Sequence, residues 1–526
     1  MKTLAFRLLQ WYNYGMETVT ITKAEYDSLV GEQARLERQV EYLLEQMRLS
    51  RHRQFGASSE KSEYDLAQLN LFNEAEVMAI PEQPEPELVE VEKHYRKKRS
   101  ATDRLPEDLP VEVIEYTLPE GEQVCCECGS KLHIMGHESR RELKIIPAQA
   151  TIVEHQRAVY SCRCCDTTND HVPIRKAEMP KPVISGSFAS PEAVAHIAAQ
   201  KFVMSVPLYR QEQEFQRSSI LLSRQTMSNW LLRCAEDWLE PVYERMKALL
   251  LEREVLHADE TTLQVLREPG KTAQSKSYMW LYRSSGDTEH PIVLYEYQPS
   301  RKAEHPARFL DGWSGYLHAD GYEGYHRLLE GITVVGCWAH LRRKFDEALK
   351  IVATEVREGS LALTGKRYCD RLFELERRFA DLPAQQRYEK RMKSSKPLME
   401  EFFAWTDSCG ALPKTPVGKA VHYALSQRKY LQAFLLDGRL ELSNNRAERS
   451  IKPFVIGRKN WLFANTPRGA RASAVIYSII ETAKENGLKP YDYLAHIFKH
   501  APNLDLHNQD HLDMLLPHHF KSAAKA

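Results

Sequence analysis

The chain has 526 residues, 43% of them hydrophobic and 27% charged, and its 72 basic and 72 acidic side chains cancel. That length exceeds what one hydrophobic core usually serves, so roughly three or four modules are expected. No run of about 18 apolar residues occurs, which argues against a membrane-spanning helix, and a balanced net charge leaves any affinity for nucleic acid to local patches.

Met1 to Gly15 has Arg7 inside its apolar stretch and no small-residue cleavage site, so it does not read as a secretory leader. Translation from Met16 is expected. Leu29, Leu36 and Leu43 then recur seven residues apart, with Val40 and Met47 on a second seam that Gln33 interrupts. Such heptads predict a coiled coil within 16–52 and, with it, self-association. A linker, partly disordered, is expected over 53–120, stiffened by the acidic Pro81-Glu82-Gln83-Pro84-Glu85-Pro86-Glu87.

Six of the ten cysteines lie in two knots within 121–175, each with a C-x-x-C pair: Cys125/Cys128 and Cys162/Cys165. Four thiolates so paired fit tetrahedral zinc, and Gly129 suits the tight knuckle after Cys128. Cys126 and Cys164 are spare or alternative ligands. Alternating β-type residues over Lys144–Tyr160 predict a ribbon between the knuckles. Disulfides are the competing reading, disfavoured without a secretory signal.

From 185 to 250 the pattern is helical, with Ser190-Pro191-Glu192 and Ser223-Arg224-Gln225-Thr226 as polar starts. The spacing allows a helix-turn-helix reading DNA through Arg217, Arg224 and Gln225, or plain helical packing. Five strands follow over Val255–Asp259, Tyr278–Arg283, Ile292–Tyr297, Tyr316–Asp320 and Ile332–Gly336. They belong to the first part of an α/β core, 251–345. A helical insertion over 346–440, the second part of the core over 441–500 and a tail over 501–526 complete the chain.

Two of those strands repeat the phrase Leu-His-Ala-Asp and are read as stopping at Asp259 and Asp320. A strand that ends on a carboxylate keeps the charge at the sheet edge, within reach of metal and water. The third acid, Glu448, is the only one between 446 and 471, against seven cations. It also fits a capping box with Asn445 as N-cap. Pro453 is expected to limit or kink that helix, and Pro467-Arg468-Gly469 to form a loop. Two aspartates and a later glutamate can hold two divalent cations, and two cations can cut or join a phosphodiester. Cys337 and His340 sit one helical turn apart but lack further ligands, so a buried thiol and a hydrogen-bonding or DNA-contacting imidazole are expected. His257 and His318 lie two residues before the aspartates, on the same strand faces, where they either support the acids or simply pack.

His257-Ala258-Asp259-Glu260-Thr261, Asp320-Gly321-Tyr322, Gly336-Cys337-Trp338-Ala339-His340-Leu341-Arg342-Arg343-Lys344-Phe345, and Asn444-Asn445-Arg446-Ala447-Glu448-Arg449 followed by Gly457-Arg458-Lys459-Asn460-Trp461-Leu462-Phe463 resemble the transposases of the insertion sequence 66 family. The likeness runs from the cysteines to about residue 500. One departure is Ser443, where many relatives carry an aspartate.

The resemblance implies a multi-domain α/β protein: a ribonuclease-H-like catalytic core with a helical insertion, preceded by a coiled coil, a zinc-binding module and a helical DNA-binding region. It implies catalytic and metal-binding roles for Asp259, Asp320 and Glu448 with two Mg²⁺, Mn²⁺ being an alternative, and structural Zn²⁺ on Cys125, Cys128, Cys162 and Cys165. DNA contacts are expected from Arg342, Arg343, Asn445, Arg449, Arg458, Lys459, Asn460 and Arg468. The expected activity is metal-dependent strand cleavage and strand transfer in a bacterial, nucleoid-associated cytoplasmic setting. Its partners would be the element's terminal inverted repeats, target DNA, further copies of the chain and accessory proteins of the same element, with no membrane. A non-catalytic DNA-binding descendant and a two-metal nuclease are the rival readings.

Overall fold

The computed structural model describes residues 149–161, 174–286, 288–328, 330–352 and 357–520. The expectations for Met16, the coiled coil, the linker and the four zinc-ligand cysteines lie outside the described residues. The chain divides into two compact units, Met1–Thr151 and Ile152–Ala526, and every element named here belongs to the second.

A short ribbon comes first, β1 (Val159–Ser161) paired antiparallel with β2 (Ile174–Lys176). Within the alternating stretch, residues 149–158 are not strand and 159–160 are, and the partner strand follows the second cysteine pair instead of preceding it. Helices α1 (Pro191–Phe202), α2 (Leu208–Arg217), α3 (Arg224–Cys234) and α4 (Glu240–Leu250) follow. Ser190 and Ser223 cap α1 and α3 by accepting the Ala193 and Thr226 amides, as their short side chains favour. These helices do not stand apart: Val194, Ile197, Met227, Val242 and Met246 are fully buried in one core with the sheet.

That sheet has the order β5-β4-β3-β6-β7. Strand β3 (Val255–Gln264) is antiparallel to β4 (Lys276–Ser284), which is antiparallel to β5 (Val293–Gln298). On its other side β3 is parallel to β6 (Gly315–His318), and β6 to β7 (Ile332–Val335); a short helix, α5 (Glu304–Phe309), precedes β6. Met279, Trp280, Leu281 and Tyr282 of β4 are buried without alternation, the mark of a strand covered on both faces.

The two faces have different covers. Leu256 and Ala258 of β3 share a core with α1–α4 and with three later helices, α12 (Asn445–Trp461), α13 (Pro467–Glu485) and α14 (Pro490–His500). Val255 and Val335 face a second core built from α6 (Trp338–Ile351), α7 (Leu361–Phe379), α9 (Lys396–Ser408) and α10 (Pro416–Ser426); the short α8 (Ala384–Lys390) and α11 (Arg428–Gln432) complete the insertion. The edge strand β5 is closed by hydroxyls of α13: Ser478 accepts the Tyr295 amide at 2.7 Å, and Thr482 accepts the Val293 amide and donates to its carbonyl, both at 2.9 Å. Satisfied edge groups cannot recruit another strand.

The insertion returns the chain to the sheet. Buried Arg391 pairs with Glu376 and donates to the carbonyls of Phe434, Asp437 and Leu440 at 3.1, 3.0 and 2.7 Å, just before the segment that enters α12. Gly336 donates its amide to Tyr430 at 2.9 Å, and a Cβ there would lie 3.1 Å from the Tyr430 carbonyl carbon. Any larger residue there would force the end of β7 and the insertion a few tenths of an ångström apart.

Candidate functional site

Strand β3 does not stop at Asp259; it runs five residues further, to Gln264, because β4 continues to pair with it there. What stops is β6. The last parallel pair is His257 with His318, so two further residues along each strand bring Asp259 and Asp320 past the end of that ladder. Asp259 is therefore accessible through a missing neighbour, not through the end of its own strand. Its carboxylate accepts the Glu260 amide at 2.8 Å, and Asp320 accepts the Tyr322 amide at 2.9 Å in an Asx-type turn. Gly321 admits the Tyr423 ring of the insertion, 2.8 Å from where a Cβ would sit.

Glu448 arrives in the first turn of α12. The helix begins after Asn444, not Asn445, and the capping box does not form. Asn444 instead uses its whole side chain to tie the helix to the sheet: Oδ1 meets His257 Nδ1 at 2.9 Å and Nδ2 donates to the Ala258 carbonyl at 2.7 Å, while its amide donates to Cys337 Sγ at 3.2 Å. The residue is buried. Glu448 is then free for other contacts, with Oε2 3.2 Å from Arg343 Nη2 and Oε1 3.7 Å from His340 Nδ1. Pro453 lies inside the helix without ending it, and Pro467-Arg468-Gly469 is the first turn of α13, capped by Thr466, because proline suits a first helical turn.

The acids sense one another. Burial, first, and then the charges of Glu260, Asp320 and Glu448 push the Asp259 carboxyl well above the usual carboxylate range, opposed by the Glu260 amide. Adjacent Glu260 is held differently, ion-paired to Arg301 and accepting Tyr325 Oη at 2.6 Å. Beneath the acids, His257 and His318 stack with ring centroids 4.3 Å apart. Burial holds His257 down at about 3 and His318 well below the ordinary histidine value, so both are neutral and pack without mutual repulsion. Cys337, His340 and Glu448 each offer one possible ligand atom within 4.8 Å of the others, a third member that spacing along the chain could not reveal.

The basic positions differ in exposure and in contacts, and Arg468 is exposed as well as paired. Arg449, Lys459 and Asn460 are exposed along α12, with Asn445 half-buried at its start. Arg342 is engaged with Asp370, Arg343 with Glu448, Arg458 with Thr262 and Arg468 with Glu236. Trp461 packs edge-on against Phe454 at 5.4 Å. In the helical region, Arg217 is paired with Glu214 and Arg224 with Glu212, while Gln225 is exposed. Sequence reasoning gave no role to Asn444 or Glu260. The signal for Asn444 was a polar pair between the apolar Leu442 and a helix start.

Comparisons with known proteins agree along the chain. Residues 186–472 match the family described as Transposase IS66 family, 42–114 the one described as Transposase C of IS166 homeodomain, 122–166 the zinc-finger binding domain of transposase IS66, and 478–518 the IS66 C-terminal element. The zinc-finger match spans Cys125, Cys128, Cys162 and Cys165. Three relatives come from Sinorhizobium fredii (strain NBRC 101917 / NGR234). Uncharacterized protein y4qI is 33% identical over 407 residues, 73% of this chain and 71% of its own length. Uncharacterized proteins y4hP and y4jD are 31% and 29% identical, over 82% and 80% of this chain and 79% and 82% of theirs. No helix among the described residues is long and apolar enough to cross a membrane. With a family match over more than half its length and a relative of this identity, the chain belongs to the IS66 transposase family.

Proposed function

We propose that the chain is a catalytic transposase that cuts the ends of its own element and joins them to target DNA, with Asp259, Asp320 and Glu448 as the acids of a ribonuclease-H-like core. The sheet order, with β3, β6 and β7 parallel and β4 and β5 antiparallel, supports that name for the core. What carries the reading is the mutual electrostatics of Asp259 on β3, Asp320 just past the end of β6 and Glu448 on a distant helix: the charges of Asp320 and Glu448 each disfavour ionisation of Asp259. An arrangement that costs stability in the bare protein calls for a cation.

The donor set fits hard divalent ions: three carboxylates, of which Glu448 Oε1 is buried with no hydrogen-bond partner. Asp259, Asp320 and Glu448 would hold magnesium, which would supply activation of the attacking oxygen and a counter-charge for the leaving oxygen. The chain's own groups do the rest. Asn444 fixes the start of α12 and so the reach of Glu448, and the neutral His257/His318 pair supports the strand ends without adding charge. Arg449, Lys459 and Asn460 line the approach for phosphates, and Arg342, Arg343, Arg458 and Arg468 join them by exchanging Asp370, Glu448, Thr262 and Glu236. Zinc on Cys125, Cys128, Cys162 and Cys165, self-association through the heptads and element-end recognition complete the proposal.

Incubating the purified protein with Mg²⁺ and linear DNA carrying the ends that flank its own gene is the decisive experiment. Joined products are expected. Cut-only products mean a nuclease, and binding without either overturns catalysis.

The cation also predicts a pH dependence. Asp259 binds its proton more tightly folded than unfolded, so its contribution to stability is fully present below the ordinary carboxylate range and is lost as pH rises through the raised folded value. A cation replacing that proton restores it. At one fixed concentration, about 100-fold above its Kd at pH 7.5, Mg²⁺ should therefore stabilise the fold by about 2.7 kcal/mol there and by less at about pH 5, where the proton competes with it, so the melting temperature rises more at pH 7.5. Equal shifts at the two pH values in thermal unfolding would remove Asp259 from the cation site.

A further inference from the structure

We infer that Cys337, His340 and Glu448 form a second metal site, for one thiophilic divalent ion of the Zn²⁺ class, and that zinc there withdraws Glu448 from the Mg²⁺-dependent chemistry. The inhibitory half rests on the catalytic reading above; the binding half does not.

Cys337 directly precedes α6 and His340 stands in its first turn, so the thiol and imidazole share one face. Glu448 reaches them from the first turn of α12. The three ligand atoms lie within 4.8 Å of one another. Zinc bonds of about 2.0–2.3 Å set neighbouring tetrahedral donors roughly 3.3–3.7 Å apart. His340 Nδ1 and Glu448 Oε1, at 3.7 Å, are already close to that separation. Only small side-chain rotations would complete the set.

Two independent features point to a ligand. His340 Nδ1 and Glu448 Oε1 are both buried atoms without a hydrogen-bond partner, although each would ordinarily be satisfied. Burial pushes the Cys337 thiol up to about 11, and the Asn444 amide, which the sulfur accepts at 3.2 Å, opposes that rise, so a metal there takes the place of a proton the bare site keeps. Binding would displace the thiol proton to solvent and leave a fourth position for water. A thiolate and an imidazole select zinc over magnesium, which takes oxygen donors and keeps its waters. The residues around the cluster bear on both states: Arg343 holds the other Glu448 oxygen, and the charges of Asp320, Arg343 and Lys344 reach His340. Because Glu448 belongs to both donor sets, the two metals compete for one side chain.

The test titrates the full-length protein with Zn²⁺ alone and counts bound zinc by elemental analysis, beside His340→Gln and Cys337→Ser. Each variant should hold one zinc per chain fewer than the parent, while Cys125→Ser with Cys162→Ser retains that ion. His340 is partly exposed, so His340→Gln keeps the measurement valid if buried Cys337→Ser unfolds, as circular dichroism will show. Equal zinc in parent and His340→Gln overturns the site and leaves the proposed function intact. In Mg²⁺-supported cleavage, micromolar Zn²⁺ should inhibit the parent at least tenfold, with that ratio lost in His340→Gln. Zinc bound at this site without inhibition overturns the competition for Glu448, and a parent with no Mg²⁺-supported cleavage at all overturns the catalytic reading alone.

Discussion

Asp259→Asn, Asp320→Asn and Glu448→Gln should each lower cleavage of element-end DNA by about 10³-fold or more, on the order of 4 kcal/mol of transition-state stabilisation, while leaving DNA retention in a gel-shift assay unchanged. Each substitution keeps the shape of the side chain and removes one charge from the donor set. The exposed cations of α12 are untouched, so affinity for the phosphate backbone, which depends on them, persists. Asp259→Asn adds a second, opposite readout. Burial and three neighbouring carboxylates already penalise this charge, so the metal-free variant should be no less stable than the parent even as activity vanishes. A structural carboxylate would do the reverse, losing stability on neutralisation. Robust strand transfer by any of the three variants would sink the assignment.

The sequence made the sheet legible because its signals were local. The apolar runs at 255, 278, 292, 316 and 332 all became strands within a few residues, and the Leu-His-Ala-Asp repeat marked two neighbours in one parallel ladder. What failed was pairing length. Whether β3 ends at Asp259 depends on β4 beside it and on the early stop of β6, and neither is written in β3 itself. Capping failed for a similar reason: Asn444 and Asn445 are equally good caps by type, and the choice was made by a buried partner, His257, nearly two hundred residues earlier. Helical context decided the prolines: α12 runs on through Pro453, and Pro467 starts α13 where a loop was expected. Cys337 and His340 are one helical turn apart, and the carboxylate that joins their cluster comes from a helix beyond the whole insertion.

Asn444→Ala should unfold the core at lower denaturant, losing about 3 kcal/mol, and should cost cleavage activity by about 10²-fold or more. The side chain lies in the interior and makes two buried hydrogen bonds, to His257 Nδ1 and to the Ala258 carbonyl. Removing it leaves both partners unsatisfied, at roughly 1–3 kcal/mol each, with a small cavity besides. His257 cannot recover by charging, since burial holds it neutral. The functional loss follows from position. Ala258 precedes Asp259, and Asn444 precedes α12 by one residue, so this one amide sets the offset between the strand that carries one acid and the helix that carries another. A misplacement of about 1 Å is enough to cost such a factor. Asn444→Asp separates the two effects, because it keeps the acceptor for His257 but loses the donor to Ala258 and adds a buried charge. It should be at least as destabilising as alanine. Unfolding by urea with activity measured on the folded fraction tests both, and full activity in folded Asn444→Ala would show that Glu448 is positioned by other contacts.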